Sequence, residues 1–216
     1  MDFIGAYNPD NLRFLLEGFL LTLQTAFTAI VLSFVLGILL GVLRYARIPV
    51  VSWIVGLFVE LIRNLPLLLL IVFAKLALPE VGIKLGLFWS TVAALTVFEA
   101  AMIAEIVRSG LNSVDKGQIE AARSSGLGYT QTLWHIVLPL GLRRMVPPIV
   151  SQFISLLKDT SLAVSISLAE LMHNAKIISG QNVNFVFPIL IAAAVLYFAV
   201  NYTLSLLARR MEARQV

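Results

Sequence analysis

Five ionisable residues stand inside long apolar stretches of this chain: Glu60 and Arg63 within Ile48 to Ala74, Glu99 within Leu85 to Ala104, and Lys158 and Asp159 within Met145 to Ala169. A charge at the centre of a bilayer costs roughly 2.5 to 3.5 kcal/mol on an insertion scale, so such residues line a pathway or meet a partner. Glu60 and Arg63 are three apart, which on a helix predicts an intrahelical ion pair; the alternative gives Arg63 a ligand carboxylate to attract. Glu99 has no opposite charge within four residues. It is protonated in lipid, or it contacts Arg63 or Lys158 across helices, or it binds a cationic ligand. Lys158 and Asp159 are neighbours that project about 100° apart on a helix, so they do not simply neutralise each other. The run Asp159-Thr160-Ser161, followed by Ser165 and Ser167, fits a locally broken helix facing a wet cavity. The competing reading has Lys158 snorkelling or pairing with a neighbouring helix and Asp159 serving packing alone.

The elements that position these residues are membrane spans. The 216 residues are 59% hydrophobic and only 13% charged, with mean hydropathy +0.93, whereas a soluble domain is about 45 to 50% apolar and about 25% charged. A span takes about 20 mostly apolar helical residues. Five stretches qualify: Gly18 to Leu43, Ile48 to Ala74, Leu85 to Ala104, Met145 to Ala169, and Ile177 to Ala208 with Pro188 near its start. Leu12 to Leu16 reads as a short amphipathic lead-in on the membrane surface. An odd number of spans puts the termini on opposite faces. Lys and Arg are retained on the cytoplasmic side, and an outside N-terminus places Arg44, Arg47, Arg108, Lys116, Arg123, Arg143, Arg144, Arg209, Arg210 and Arg214 there, against Arg13, Lys75, Lys84 and Lys176 opposite. The expected fold is an all-α integral membrane protein of about five spans, N-terminus outside and C-terminus cytoplasmic, forming one domain over 1–216. The basic residues lie in short runs between apolar segments, so the net charge of +4 belongs to loops rather than to a nucleic-acid surface. Cysteine is absent, which excludes disulfides and thiol chemistry. His135 and His173 are expected on opposite sides, so they form no metal site within one subunit.

The longest polar interruption, 109–144, is then cytoplasmic. Asp115 followed by Gln118 predicts a capping box that starts a short helix, Gly126 and Gly128 permit a sharp turn, and Tyr129 to Val137 predicts a second short helix stopped by Pro139. Ala121, Ala122, Ser124 and Gly126 are small enough for another backbone to approach.

Within this loop Glu120-Ala121-Ala122, Gly126, Ile136 and Leu138-Pro139 stand at the spacing of the EAA loop, and here the chain resembles the permease subunits of ATP-binding-cassette (ABC) importers. The similarity extends along the chain to the branch that takes up polar amino acids: Thr22-Leu23 with Gly37-x-x-x-Gly41, whose small residues permit close helix contact; Glu60 to Leu68, with Asn64-Leu65 where the branch usually has Gly-Thr; Ala104 to Gly110; and Leu156 to Leu162. The resemblance implies the type I importer permease fold, with Glu120, Ala121, Ala122, Gly126, Ile136, Leu138 and Pro139 forming the coupling helix that docks on a cytoplasmic ATPase. It implies as partners two ATPase subunits, a second permease copy or paralogue, and an extracytoplasmic amino-acid-binding protein or fused domain, all at a prokaryotic cytoplasmic membrane. The chain has no Gly-Lys dipeptide and so no P-loop; ATP-Mg belongs to the partner, and this subunit is neither an enzyme nor the holder of a cofactor.

On that basis Arg63, Glu99, Lys158, Asp159, Thr160 and Ser161 are candidates for the substrate pathway. Asp159 receives the amino acid's ammonium, and nearby hydroxyls or freed amides hold its carboxylate. Similarity around Asn64 and Lys158-Asp159-Thr160 leans toward glutamine or glutamate, with basic amino acids also compatible. The competing function is a proton-coupled secondary transporter using Glu99 and Asp159, against which stand the small span count and the lack of paired repeat halves.

Overall fold

The computed structural model describes residues 1–213, all-helical apart from turns and loops. In chain order the α-helices are α1 (Phe3–Ala6), α2 (Pro9–Tyr45), α3 (Val51–Arg63), α4 (Leu67–Leu76), α5 (Leu87–Asn112), α6 (Lys116–Ser124), α7 (Tyr129–Thr132), α8 (Leu138–Asp159), α9 (Leu171–Gln181) and α10 (Val186–Ala213). Arg214, counted above with the cytoplasmic basic residues, lies outside the described residues.

Small residues recur along the first apolar stretch at spacings of three and four, and a stripe of small side chains lets another helix approach closely in lipid. Gly18, Thr22, Thr25, Ala26, Ala29, Ser33, Gly37 and Gly41 form that stripe on α2, and all are buried. A Cβ placed on Gly37 would stand 2.6 Å from the Ile103 Cβ, and one on Gly41 2.8 Å from the Ala104 carbonyl oxygen, so α2 lies hard against α5. The two run parallel, since later residues of one meet later residues of the other. Leu12 to Leu16 is not a separate surface segment. Asn8 caps the helix earlier, accepting a hydrogen bond from the Asn11 amide at 2.8 Å, with Pro9 at the first position.

Three expected spans are continuous helices: the first in α2, the third in α5 and the fifth in α10, which begins at Val186 rather than Ile177. The second is broken. Pro66 lacks an amide hydrogen and pushes Leu65 out of the helical region, so α3 ends at Arg63, α4 starts at Leu67, and the two axes bend by 99°. Val59 of α3 packs on Ala101 and Ala104 of α5, whereas Leu67, Ile71 and Ala74 of α4 pack with Ala94 and Leu95. Thus α3 crosses the Arg44 end of the bundle obliquely, and α4 ascends along α5 toward its N-terminus.

The fourth span is also interrupted. α8 stops at Asp159, the chain tightens into a 3-10 helix over Thr160–Ile166, and Ser167 ends it in a left-handed conformation at φ 62°. α9 then packs on the N-terminal half of α2, where the Leu171 amide donates to Thr22 Oγ1 at 3.1 Å and Asn174 Nδ2 donates to the Phe14 carbonyl at 2.7 Å. α9 thus occupies the connection expected between the fourth and fifth spans and takes in Ile177 to Gln181, which were expected to open the fifth. Leu67 beside one break and Leu156, Leu157 and Ile166 around the other share a buried cluster with Ala26, Ala29 and Leu95.

Candidate functional site

The interruption at Asp159 comes from local chemistry. The Thr160 hydroxyl donates to the Leu157 carbonyl at 2.7 Å and the Ser165 hydroxyl to the Leu162 carbonyl at 2.8 Å, each competing with regular α-helical bonding. Asp159 is half-buried and Thr160 fully buried, Ser161 is half-buried, and Lys158 is exposed. The expected broken helix is present. Lys158 forms no ion pair with Asp159 or Glu99 among the described residues. Broken spans expose backbone groups inside the protein that a polar ligand can satisfy.

Glu99 reaches toward this region from α5. It is completely buried, and neither carboxylate oxygen has a hydrogen-bond partner among the described residues. Gln152 of α8 and Asp159 are its polar neighbours. Neither Arg63 nor Lys158 contacts it, which removes the cross-helix ion pair from the readings above.

Six residues further along α5, Glu105 is surrounded by arginines. Arg44 Nη1 lies 2.6 Å from its Oε2, Arg108 Nη2 2.5 Å from its Oε1, and Arg63 Nη1 3.8 Å from Oε2. The expected Glu60–Arg63 pair is not formed. Glu60 is exposed, whereas Glu105 lies deeper between α2, α3 and α5, and the Arg63 guanidinium turns to it instead. Arg108 also donates through Nε to Glu105 at 3.0 Å, so one carboxylate ties together α2, α3 and α5.

In the loop, Asp115 caps α6, accepting from the Gly117 amide at 2.6 Å. The reciprocal bond from the Gln118 side chain is absent among the described residues; Gln118 contributes its backbone amide to the Asp115 carbonyl instead. Gly126 makes the turn at φ +90°, whereas Gly128 has an ordinary φ of −67° and starts α7. Pro139 does not stop the second helix. Leu133–Val137 widens into a π-helix, which absorbs the missing amide and the ring's clash with the preceding turn, and the chain runs on into α8. Glu120, Ala121, Gly126 and Pro139 are exposed, Ile136 and Leu138 are half-buried, and Ala122 is buried. Ala121, Ala122 and Ile136 line one groove with Gln118, Ser125 and Leu127.

One buried group escaped the sequence reading. Glu170 is fully buried at the start of α9, accepting from the Met172 amide at 2.9 Å, the His173 amide at 2.7 Å and the Tyr197 hydroxyl at 3.0 Å. Its signal was the position of a carboxylate just before a helical run, as a cap.

Residues 33–216 match the family described as binding-protein-dependent transport system inner membrane component. The chain is 64% identical over 217 residues to the probable glutamine ABC transporter permease protein GlnP of Bacillus subtilis (strain 168), with all of both chains covered. It is 37% identical to the probable glutamine ABC transporter permease protein GlnM of the same organism, over 95% of this chain and 94% of that one. Among solved structures it superposes on a chain of the crystal structure of an amino acid ABC transporter with histidines at TM-score 0.92 and 28% identity, covering 99% of each. Its fold also matches a MetNI methionine ABC transporter chain at TM-score 0.76 and 23% identity, covering 97% of this chain and 99% of that one. The two broken spans, the loop between α5 and α8 and the full-length identities agree: the chain belongs to the binding-protein-dependent transport system inner membrane component family, and is the membrane-embedded permease subunit of an ABC importer whose ATPase is a separate subunit.

Proposed function

We propose that this permease carries glutamine inward across the cytoplasmic membrane. The observation that carries the substrate is the 64% identity over the full length of both chains to a probable glutamine permease. The chain acts as a single membrane domain, 1–216, paired with a second permease copy or paralogue, its N-terminus outside. An extracytoplasmic binding protein or fused domain delivers the amino acid, and ATP-Mg is hydrolysed on the partner ATPases. Asp159 takes the ammonium; Ser161 and backbone groups freed over Thr160–Ile166 hold the carboxylate, and Thr160 holds the break in shape. Glu99, buried beside Gln152 and lacking a partner of its own, supplies a further polar contact. Lys158 is exposed next to Asp159 and completes the set of pathway residues.

The 109–144 loop couples this site to ATP. Exposed Glu120, Ala121 and Gly126 meet the ATPase, and Ala122, Ile136, Leu138 and Pro139 hold α6 against the continuous α7–α8 helix. Pulling on the loop thereby moves α8 and the break at its far end.

The test is uptake of radiolabelled glutamine into proteoliposomes holding the permease, its ATPase and its binding protein. ATP-dependent uptake that survives a proton ionophore, and is blocked by excess glutamine but not by glutamate or arginine, is the expected result. Stronger block by glutamate would reassign the substrate, and ionophore-sensitive uptake without ATP would return the proton-coupled reading.

A further inference from the structure

The charges around Glu105 do not balance. Arg44 and Arg108 already occupy both of its oxygens at 2.5 to 3.0 Å, so Arg63 at 3.8 Å is a third and loosely held guanidinium. Its Nε is buried and has no hydrogen-bond acceptor among the described residues. Arg144 adds another positive group, tethered to the bundle by donating to the Ser113 carbonyl. Against these four arginines stand Glu105 and Glu60, the latter exposed and acting on Arg108. A buried donor without a partner costs about 1 to 3 kcal/mol, more when charged, so an acceptor arriving here is favoured.

Arg63 borders a cavity of about 400 Å³, within the usual range of about 300 to 1,000 Å³ for small-molecule sites. Its polar walls are Arg63, Glu105, Ser109, Ser113, Arg144 and Gln152, and its apolar walls include Met102 and Pro148. Gln152 is the link to the first site, since it also neighbours Glu99. The cavity therefore begins next to the buried carboxylate and extends along α5 and α8 toward their Arg44 and Arg144 ends.

We propose that this cavity is a second station for the amino acid in transit, where Arg63 takes the α-carboxylate after it leaves the Asp159 region. The inference rests on the amino-acid import reading above and adds a residue and a place to it. A spare guanidinium beside a saturated ion pair suits a transient stop: it attracts the carboxylate while Arg144 stays tethered to the Ser113 carbonyl, and Glu105 can draw Arg63 back once the ligand departs.

The experiment measures glutamine and glutaminamide binding to the purified permease–ATPase complex in nanodiscs, without the binding protein, for wild type, Arg63→Gln and Arg63→Lys. Glutaminamide lacks the carboxylate. Wild type is expected to bind glutamine at least tenfold more tightly than glutaminamide, Arg63→Gln to lower that preference several-fold while leaving the part owed to the Asp159 region, and Arg63→Lys to restore part of what was lost. Equal loss for both ligands would make Arg63 merely structural and overturn the proposal, as would unchanged preference in Arg63→Gln. Arg63-dependent retention of an anionic lipid in native mass spectrometry, with amino-acid binding unaffected, would assign the cavity to a lipid phosphate instead. Should Arg63→Gln fail to assemble, wild type and Arg63→Lys carry the comparison: a weaker preference for the carboxylate in Arg63→Lys supports the station, and a wild type that binds both ligands equally overturns it. Glutamine uptake by the full transporter is run alongside. Its absence in wild type sinks the substrate reading, whereas normal uptake with an indifferent Arg63→Gln sinks only the second station.

Discussion

Glu99 and Glu105 sit six residues apart on the same helix and differ in almost everything but type. Glu105 is held by Arg44, Arg108 and Arg63, joining α2, α3 and α5 where the bundle's basic ends converge. Glu99 is completely enclosed, and its carboxylate has no hydrogen-bond partner among the described residues. A carboxylate whose bonding is already satisfied contributes to architecture; one enclosed without partners costs stability and persists for what it does to a ligand. The same contrast separates the two ends of the interior: a crowded ionic clasp near Arg44, and an underbonded region where α8 breaks at Asp159.

The largest effect is expected from Glu105→Ala. It leaves three guanidiniums facing one another in a half-buried site, where loss of their shared partner costs about 2 to 3 kcal/mol. The thermal midpoint of the permease–ATPase complex in detergent should fall by several degrees; an unchanged midpoint would show that the clasp is not structural. Glu170→Gln comes next, because it weakens the cap that ties α9 to Tyr197, with an expected cost of about 2 kcal/mol in the same assay. Glu99→Gln should behave in the opposite way from Glu105→Ala. Its complex should be as stable as wild type or more so, while glutamine uptake falls about tenfold, roughly 1.4 kcal/mol in the transport barrier. Lost stability with normal uptake would erase the distinction between the two carboxylates. The smallest effect belongs to Gly126→Ala, where a side chain meets open space but must adopt φ +90°, at a cost of about 1 to 2 kcal/mol confined to the loop. Co-purification of the ATPase should weaken while insertion and midpoint hold; unaltered co-purification would argue that the loop's turn tolerates strain without consequence for docking.

Legibility in the sequence followed the range of the interactions. The continuous spans were visible because lipid selects for uninterrupted apolar length, and Gly37-x-x-x-Gly41 announced a close helix contact because small residues at helical spacing have one main use in lipid. Pro66 was equally visible, but its effect was not. A proline inside an apolar run either kinks a span slightly or turns it sharply, and the 99° bend depends on α4 finding Ala94 and Leu95 to pack on. Pro139 misled in the other direction, since a π-helical widening one turn earlier lets the chain continue. Arg63 was assigned to Glu60 by spacing along the helix, yet a deeper carboxylate 42 residues away in sequence draws it across.

By itself, the sequence determined that this protein lives in a membrane, that about five apolar segments cross it, that a polar loop separates the third from the fourth, and that ionisable groups lie where lipid penalises them. Each of these follows from composition and local spacing, which act through nearest neighbours and through the solvent. Tertiary structure alone decided that Glu105 gathers three arginines while Glu99 gathers none, that α9 folds back onto α2 as a separate helix, and that the two broken spans pack together. Those outcomes depend on which helix faces which, and helix pairing in lipid is settled by shape and by polar groups finding partners across the bundle rather than by the hydrophobicity that writes the pattern.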